Sequence, residues 1–178
     1  MHGWRRSWGR ISQLQMTITA GGCGMEYAIR WAKQDEWYRA MEMVWKTFLR
    51  FDAPDCTPEG RQNFHGFLMD EKLYQAFLRG SYQLLTAVDG DKIIGVGSLR
   101  NINHLSLLFV EEAYHLQGVG RAMLEFLCDY LKNEVGERYI SVTASPYGLE
   151  FYKKMGFMQI KPQEMSYGMP VVSMEKVF

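Results

Sequence analysis

Cysteine is scarce in this chain: Cys23, Cys56 and Cys128 are the only three in 178 residues. Their number is odd and their spacing fits no metal-ligand pattern, which argues against a disulfide framework and against a bound metal. They read as reduced thiols of a cytoplasmic protein. An excess of charge is missing as well, because 20 basic and 20 acidic residues cancel. Without a basic footprint, nucleic acid is not an expected partner. No apolar run approaches the ~20 residues that span a bilayer, so no membrane partner is expected. Internal repeats and low-complexity segments are lacking too. What remains is 47% hydrophobic and 14% aromatic. That composition suits one domain with a sizeable core.

Residues 1–24 differ from the rest. They carry early basic residues but no apolar stretch of signal-peptide form. They are expected to be an extension outside the fold, with a single domain over 25–178. Glu26 to Trp31 reads as a first strand. Asp35 can cap a helix whose stripe is Trp37, Ala40, Met41, Val44, Trp45, Phe48 and Leu49, stopped by Pro54. Thr57-Pro58 starts a second helical segment that runs to Gly80.

The pattern then changes to strands. Tyr82–Val88 and Lys92–Leu99 flank Asp89-Gly90-Asp91, a hairpin signal. A turn at 101–103 leads into a strand from His104 to Val110. Tyr139–Ala144 is another strand, Tyr147–Met155 a short helix, and Phe157–Ile160 and Val171–Lys176 the last two strands. The order is β-αα-βββ-α-β-α-ββ. It predicts an α/β fold: one mixed sheet with helices on both faces and one parallel crossover, over 104–144.

Between those two parallel strands lies the most informative segment. The strand ending Leu108-Phe109-Val110 turns through Gln117-Gly118-Val119-Gly120-Arg121-Ala122 into a helix. A glycine turn opening a helix offers free N–H groups at the positive end of a dipole, which suits a phosphate-bearing ligand. A dinucleotide fingerprint would need a third glycine where Met123 stands. A nucleotide-triphosphatase loop would need Gly-Lys-Ser/Thr, which is absent. Taken alone, the two glycines could simply allow a tight turn.

The neighbouring residues resemble the acetyl-CoA signature of the GNAT superfamily of N-acetyltransferases. They read Leu108-Phe109-Val110, Glu111-Glu112-Ala113-Tyr114, then His115-Leu116-Gln117-Gly118-Val119-Gly120. One position departs: His115 stands where that family usually has Gln or Arg. A second block, Ala144-Ser145-Pro146 through Phe151-Tyr152-Lys153 to Gly156-Phe157, is similar to the family's second signature. The resemblance covers about Tyr27 to Lys176, with 35–80 matching in layout only.

The resemblance implies the GNAT fold and acetyl transfer from acetyl-CoA to a small-molecule or peptide amine. It implies cofactor contacts at Leu108, Phe109, Val110, His115, Gln117, Gly118, Val119, Gly120, Arg121, Ala122, Ser145 and Tyr152. The pyrophosphate would sit on the N–H groups of Gln117 to Ala122. The strand 104–110 would splay from 139–144 and expose backbone to the pantetheine arm. A backbone N–H near Phe109 or Val110 would polarise the thioester carbonyl. Tyr152 becomes the candidate general acid; as an ordinary core residue it would pack beside Phe151 and Phe157. His104 becomes the candidate base, with an ordinary pKa near ~6.5 and a place on the same strand face as Val110 by alternation. Glu111 and Glu112 are weaker candidates. Asp52, Asp55 and Glu59 could attract a cationic amine or could form a solvated loop. The many aromatics of 37–77 are expected to be core, with one or two lining an acceptor tunnel that Tyr167-Gly168-Met169-Pro170 could also reach. Many members of the family form homodimers, and no residue here bears on that. A catalytically silent acyl-CoA-binding module is the alternative from a different class.

Overall fold

The computed structural model describes residues 15–19 and 26–178. Its strands are β1 (Gln15–Thr19), β2 (Glu26–Trp31), β3 (Gln83–Asp89), β4 (Lys92–Arg100), β5 (His104–Val110), β6 (Tyr139–Ala144), β7 (Met158–Gln159), β8 (Glu164–Ser166) and β9 (Met169–Val177). Its helices are α1 (Trp37–Phe51), α2 (Pro58–Leu68), α3 (Glu71–Leu78), α4 (Val119–Asp129) and α5 (Leu149–Lys154). The strands run β1-β2-β3-β4-β5-β6-β9-β7, with β8 paired to β9. Among the described residues, β5 with β6 is the one parallel pair. This is the mixed sheet expected from the sequence.

Several details differ from expectation. Gln15–Thr19, inside the stretch expected to lie outside the fold, pairs in register along β2 from Gln15↔Arg30 to Thr19↔Glu26. The rest of 1–24 lies outside the described residues. Asp35 does not cap α1; it sits in a 3-10 turn with Gln34 and Glu36. Glu36 instead accepts from the Lys33 backbone N–H at 2.7 Å and from Arg30 at 2.7 and 2.9 Å, which ties the start of α1 to β2. The segment 58–80 is two helices, because the Asp70 side chain accepts from Lys72 N and starts α3. Beyond Asp129, α4 widens into a π-helical turn, Tyr130–Val135, that Gly136 ends at φ +85°.

The sheet separates two apolar layers, and strand alternation decides which residue enters which. On β3, Leu84 packs under α1 and α2 with Trp37, Met41 and Leu68. Leu85 faces the other way, toward Met123 and Leu127 of α4. All of these side chains are essentially fully buried, and each such burial stabilises the fold by ~2 kcal/mol relative to exposure. Gly95 allows the close approach of α4: a Cβ there would collide with the Met123 sulphur.

Candidate functional site

The site begins where β5 leaves β6. Their pairing lasts two residues, His104↔Ser141 and Leu105↔Val142, while β4 stays on β5 up to Val110 and β6 continues with β9 up to Ala144↔Val172. The β5 edge from Ser106 to Val110 therefore lacks a strand neighbour on the β6 side. Its peptide groups are available to a ligand that carries amides of its own.

A cavity of about 1100 Å³ opens into this gap. That is large for a single small molecule and suits two substrates meeting end to end. Its walls bring together the C-terminal end of α1, α2, β5, the turn before α4, the end of β6, Tyr152 of α5 and the β8–β9 turn.

The turn before α4 is built as an anion cradle. Leu116 and Gly118 adopt left-handed backbone, φ +59° and +84°, so the chain reverses directly into the helix. The first helical bond runs from Ala122 N to Gly118 O at 3.0 Å. This leaves the N–H groups of Val119, Gly120 and Arg121 as the free donors of the helix end. A Cβ added at Gly118 meets nothing within 4 Å, so the cradle is open to a phosphate. The residues present thus fit the pyrophosphate of a coenzyme A thioester. Ala122 differs from the sequence expectation, since its N–H is spent inside the helix. Gln117 does not line the cavity; its exposed side chain donates to Ala113 O at 2.9 Å.

His115 braces this turn. Its Nε2 donates to the Val110 carbonyl at 2.6 Å, which fixes the proton on Nε2 and leaves Nδ1 to accept from the Tyr147 hydroxyl at 3.5 Å. Its ring also lies 4.8 Å from that of Phe51, which stacks on Tyr147 at 4.9 Å. The departure from the family's usual residue therefore keeps a donor in place.

Tyr152 is both a core residue and a cavity residue. Its ring packs edge-on against Phe151 and Phe157, at 5.2 and 5.3 Å, yet it also lines the cavity. Burial, and secondarily the charge of Asp52, push its pKa well above the ordinary phenol range. The phenol is held protonated, as a general acid must be.

His104 lines the cavity at the point where β5 and β6 part. Its Nδ1 pairs with Ser141 Oγ at 2.9 Å. It does not share a strand face with Val110. The β4 register passes from Ser98↔Leu107 to Leu99↔Leu105, so Ser106 is an extra residue and the alternation shifts by one. Leu105 and Val110 accordingly belong to the α4 layer, while Leu107 and Phe109 belong to the α1 layer. His104, opposite in face to Leu105, stands with the second set. Burial and then the positive charge of Arg100 lower its pKa to about 4, so it is neutral near pH 7 and a weaker base than the sequence suggested.

The remaining candidates separate cleanly. Leu108, Phe109, Val110 and Ser145 all line the cavity. Asp55 and Glu59 are exposed and off its wall, whereas Asp52 is on it. Glu111 and Glu112 are engaged elsewhere, by Lys92 at 2.8 Å and Arg50 at 3.5 Å. Of the α1–α3 aromatics, Phe48, Phe51, Phe64 and Phe67 line the cavity, more than expected, and Trp37, Trp45, Tyr74 and Phe77 do not. The Tyr167–Gly168 turn does reach the site: Gly168 O accepts from Thr57 N at 2.9 Å, and Tyr167 O from Asn63 at 3.0 Å. Cys56, which the sequence did not single out, also lines the cavity.

A mixed sheet whose parallel pair splays beside an open helix-end anion cradle defines an acyl-CoA-binding fold. The Acetyltransferase (GNAT) domain family matches residues 52–178, and the chain belongs to that family. It is an acyltransferase, with acetyl-CoA as the acyl donor. Solved structures share the fold. A GCN5-related N-acetyltransferase from Rhodopseudomonas palustris is 20% identical, with TM-score 0.74 over 92% of this chain and 98% of its own. The PaiA N-acetyltransferase from Thermoplasma acidophilum, solved with coenzyme A, is 18% identical, with TM-score 0.72 over 85% of this chain and 99% of its own. A ribosomal-protein-S5-alanine acetyltransferase from Vibrio fischeri is 15% identical, with TM-score 0.63 over 92% and 96%. Comparison by sequence with curated proteins gives no match.

Proposed function

We propose that this protein transfers an acetyl group from acetyl-CoA to a primary amine of a small molecule or peptide by direct attack, with Tyr152 as the general acid. The observation that carries this reading is one cavity holding both the unpaired edge of β5 and a phenol kept protonated. Acetyl-CoA supplies an activated thioester carbonyl. The N–H groups of Val119, Gly120 and Arg121 hold its pyrophosphate, and the β5 edge near Phe109 and Val110 aligns the carbonyl and carries the developing negative charge. Tyr152 gives its proton to the departing thiolate and recovers one from the nitrogen.

Direct attack is favoured over an acyl-enzyme. Cys56 is a thiol on the cavity wall, but burial and the charge of Asp52 raise its pKa, so little of it is the nucleophilic thiolate. The amine must also shed a proton. His104, neutral and oriented by Ser141, can accept it only transiently, because its conjugate acid is strong. We place the protein in the cytoplasm, where acetyl-CoA and reduced thiols coexist; no helix among the described residues is long and apolar enough to cross a membrane. The test is thiol release from acetyl-CoA over a panel of amines, with the acetylated product identified by mass. Coenzyme A binding without thiol release on any amine would instead describe a silent acyl-CoA-binding module.

A further inference from the structure

The acceptor half of the cavity has an unusual balance. Among the described residues lining it, Asp52 is the one carboxylate. No described cationic side chain pairs with it. It caps the end of α1, where its backbone N–H donates to Phe48 O at 2.9 Å and fixes its place. Ser145, just beyond the end of β6, lines the same cavity, and the Asp52 charge raises the pKa of Tyr147, Tyr152 and Cys56. Asp52 and the proposed acid, Tyr152, both line the cavity. Beside Asp52 the wall is aromatic: Phe48 stacks on Phe64 at 4.2 Å, and Phe64 lies 6.0 Å from Phe109.

We infer that Asp52 is the anchor for the acceptor ammonium, and that the acceptor is a singly charged primary amine on an aromatic or aliphatic skeleton. The inference rests on the acetyl-transfer reading and narrows it. One half-buried carboxylate matches one ammonium, and a ring of phenyl groups matches an apolar substituent. A polyamine would bring further charges into a cavity whose described lining offers no second carboxylate and already includes Arg100 and Arg121, which is unfavourable. Burial raises the Asp52 pKa, with Asp55 adding to the rise and Ser145 opposing it; a carboxylate so tuned can take a proton as well as hold a cation. The step balances. One ammonium proton passes to Asp52, the freed nitrogen lone pair forms the N–C bond, and the C–S bond breaks with its electrons on sulphur. Tyr152 protonates the sulphur and regains a proton from the nitrogen, and Asp52 returns its proton to solvent.

The experiment compares phenethylamine, spermidine and a short peptide with a free α-amine, in the full chain and in Asp52→Asn. Thiol release gives kcat/KM, and equilibrium titration gives binding of phenethylamine to the coenzyme A complex. The expected result is kcat/KM at least ~10-fold higher for phenethylamine than for either competitor. Asp52→Asn should cost ~30-fold on phenethylamine and weaken its binding, because it removes one side of the proposed charge pair. The Kd for coenzyme A alone, measured in the same variant, should stay unchanged and so report an intact fold. Equal or faster transfer to spermidine or the peptide overturns the proposed acceptor, as does undiminished binding and transfer of phenethylamine in Asp52→Asn. If phenethylamine binds through Asp52 but no thiol is released, the acetyl-transfer reading fails while the anchor stands.

Discussion

His115 and Val110 are joined by a 2.6 Å bond from the imidazole Nε2 to the carbonyl oxygen, within the turn that leads from strand to helix. The bond ties the phosphate cradle to the end of the open strand, so both ends of the donor-binding surface move as one piece. Loss of one such bond is worth ~1 kcal/mol, or about fivefold in affinity. His115→Ala should weaken coenzyme A binding by about that factor in isothermal titration. His115→Gln, which retains a donor, should stay closer to the parent. An unchanged Kd in the alanine variant would detach this brace from cofactor binding.

Gly168 sits at the tip of the β8–β9 hairpin with φ +79°, and a Cβ there would collide with Thr57 and the Gly60 backbone. Gly90 has φ +57° with nothing within 4 Å. Left-handed backbone alone costs a non-glycine residue ~1 kcal/mol, and the collision adds to that at Gly168 only. Gly168→Ala should therefore lower Tm by roughly 4–8 °C and Gly90→Ala by roughly 2–4 °C, read by calorimetry. Equal drops would mean that the contact between the hairpin and α2 is slack.

Tyr152→Phe keeps the ring that packs between Phe151 and Phe157 and removes only the hydroxyl. Turnover should fall by ~10²-fold or more while the fold stays intact. Because the phenol pKa is raised, the parent enzyme should show no loss of kcat from Tyr152 deprotonation below pH ~10. Unaltered turnover in the variant would remove Tyr152 from the chemistry.

His104 gives a stability signature apart from any role in turnover. Its pKa is about 4 folded and ~6.5 unfolded. Below pH ~6.5 the unfolded chain takes up a proton that the folded protein refuses, so stability falls as the pH drops toward 4 and levels off below it. The loss should reach up to ~3 kcal/mol. Urea unfolding at pH 7 and pH 4.5 should show a smaller difference in His104→Asn than in the parent. Any His104-dependent limb in kcat/KM should lie near pH 4, not near 6.5.

The bounds of β2, β5 and β6 were legible to the residue, because each is a run of β-forming residues bounded by turn formers. The Thr57-Pro58 start was legible for the same local reason, and Thr57 Oγ1 does accept from Gly60 N at 3.0 Å. What escaped depends on partners. The extra residue at Ser106 exists only in the register of β5 against β4, so alternation counted along one strand put His104 on the wrong face. β8 is three residues with no alternating pattern, and Gln15–Thr19 is a strand by virtue of pairing with β2. Asp52, Asp55 and Glu59 were equivalent in sequence. Only the end of α1 and the approach of the β6 end, with Ser145 and Tyr147, distinguish the first from the others.

The early parting of β5 from β6 has a consequence for how such a protein can change over time. A grip made of peptide groups survives replacement of almost any side chain near it, whereas a grip made of side chains is lost one substitution at a time. Drift can therefore rework the walls around Asp52, Phe64 and Tyr167 without touching the hold on the donor. New acceptors become accessible to such a lineage while its hold on the common donor is inherited unchanged.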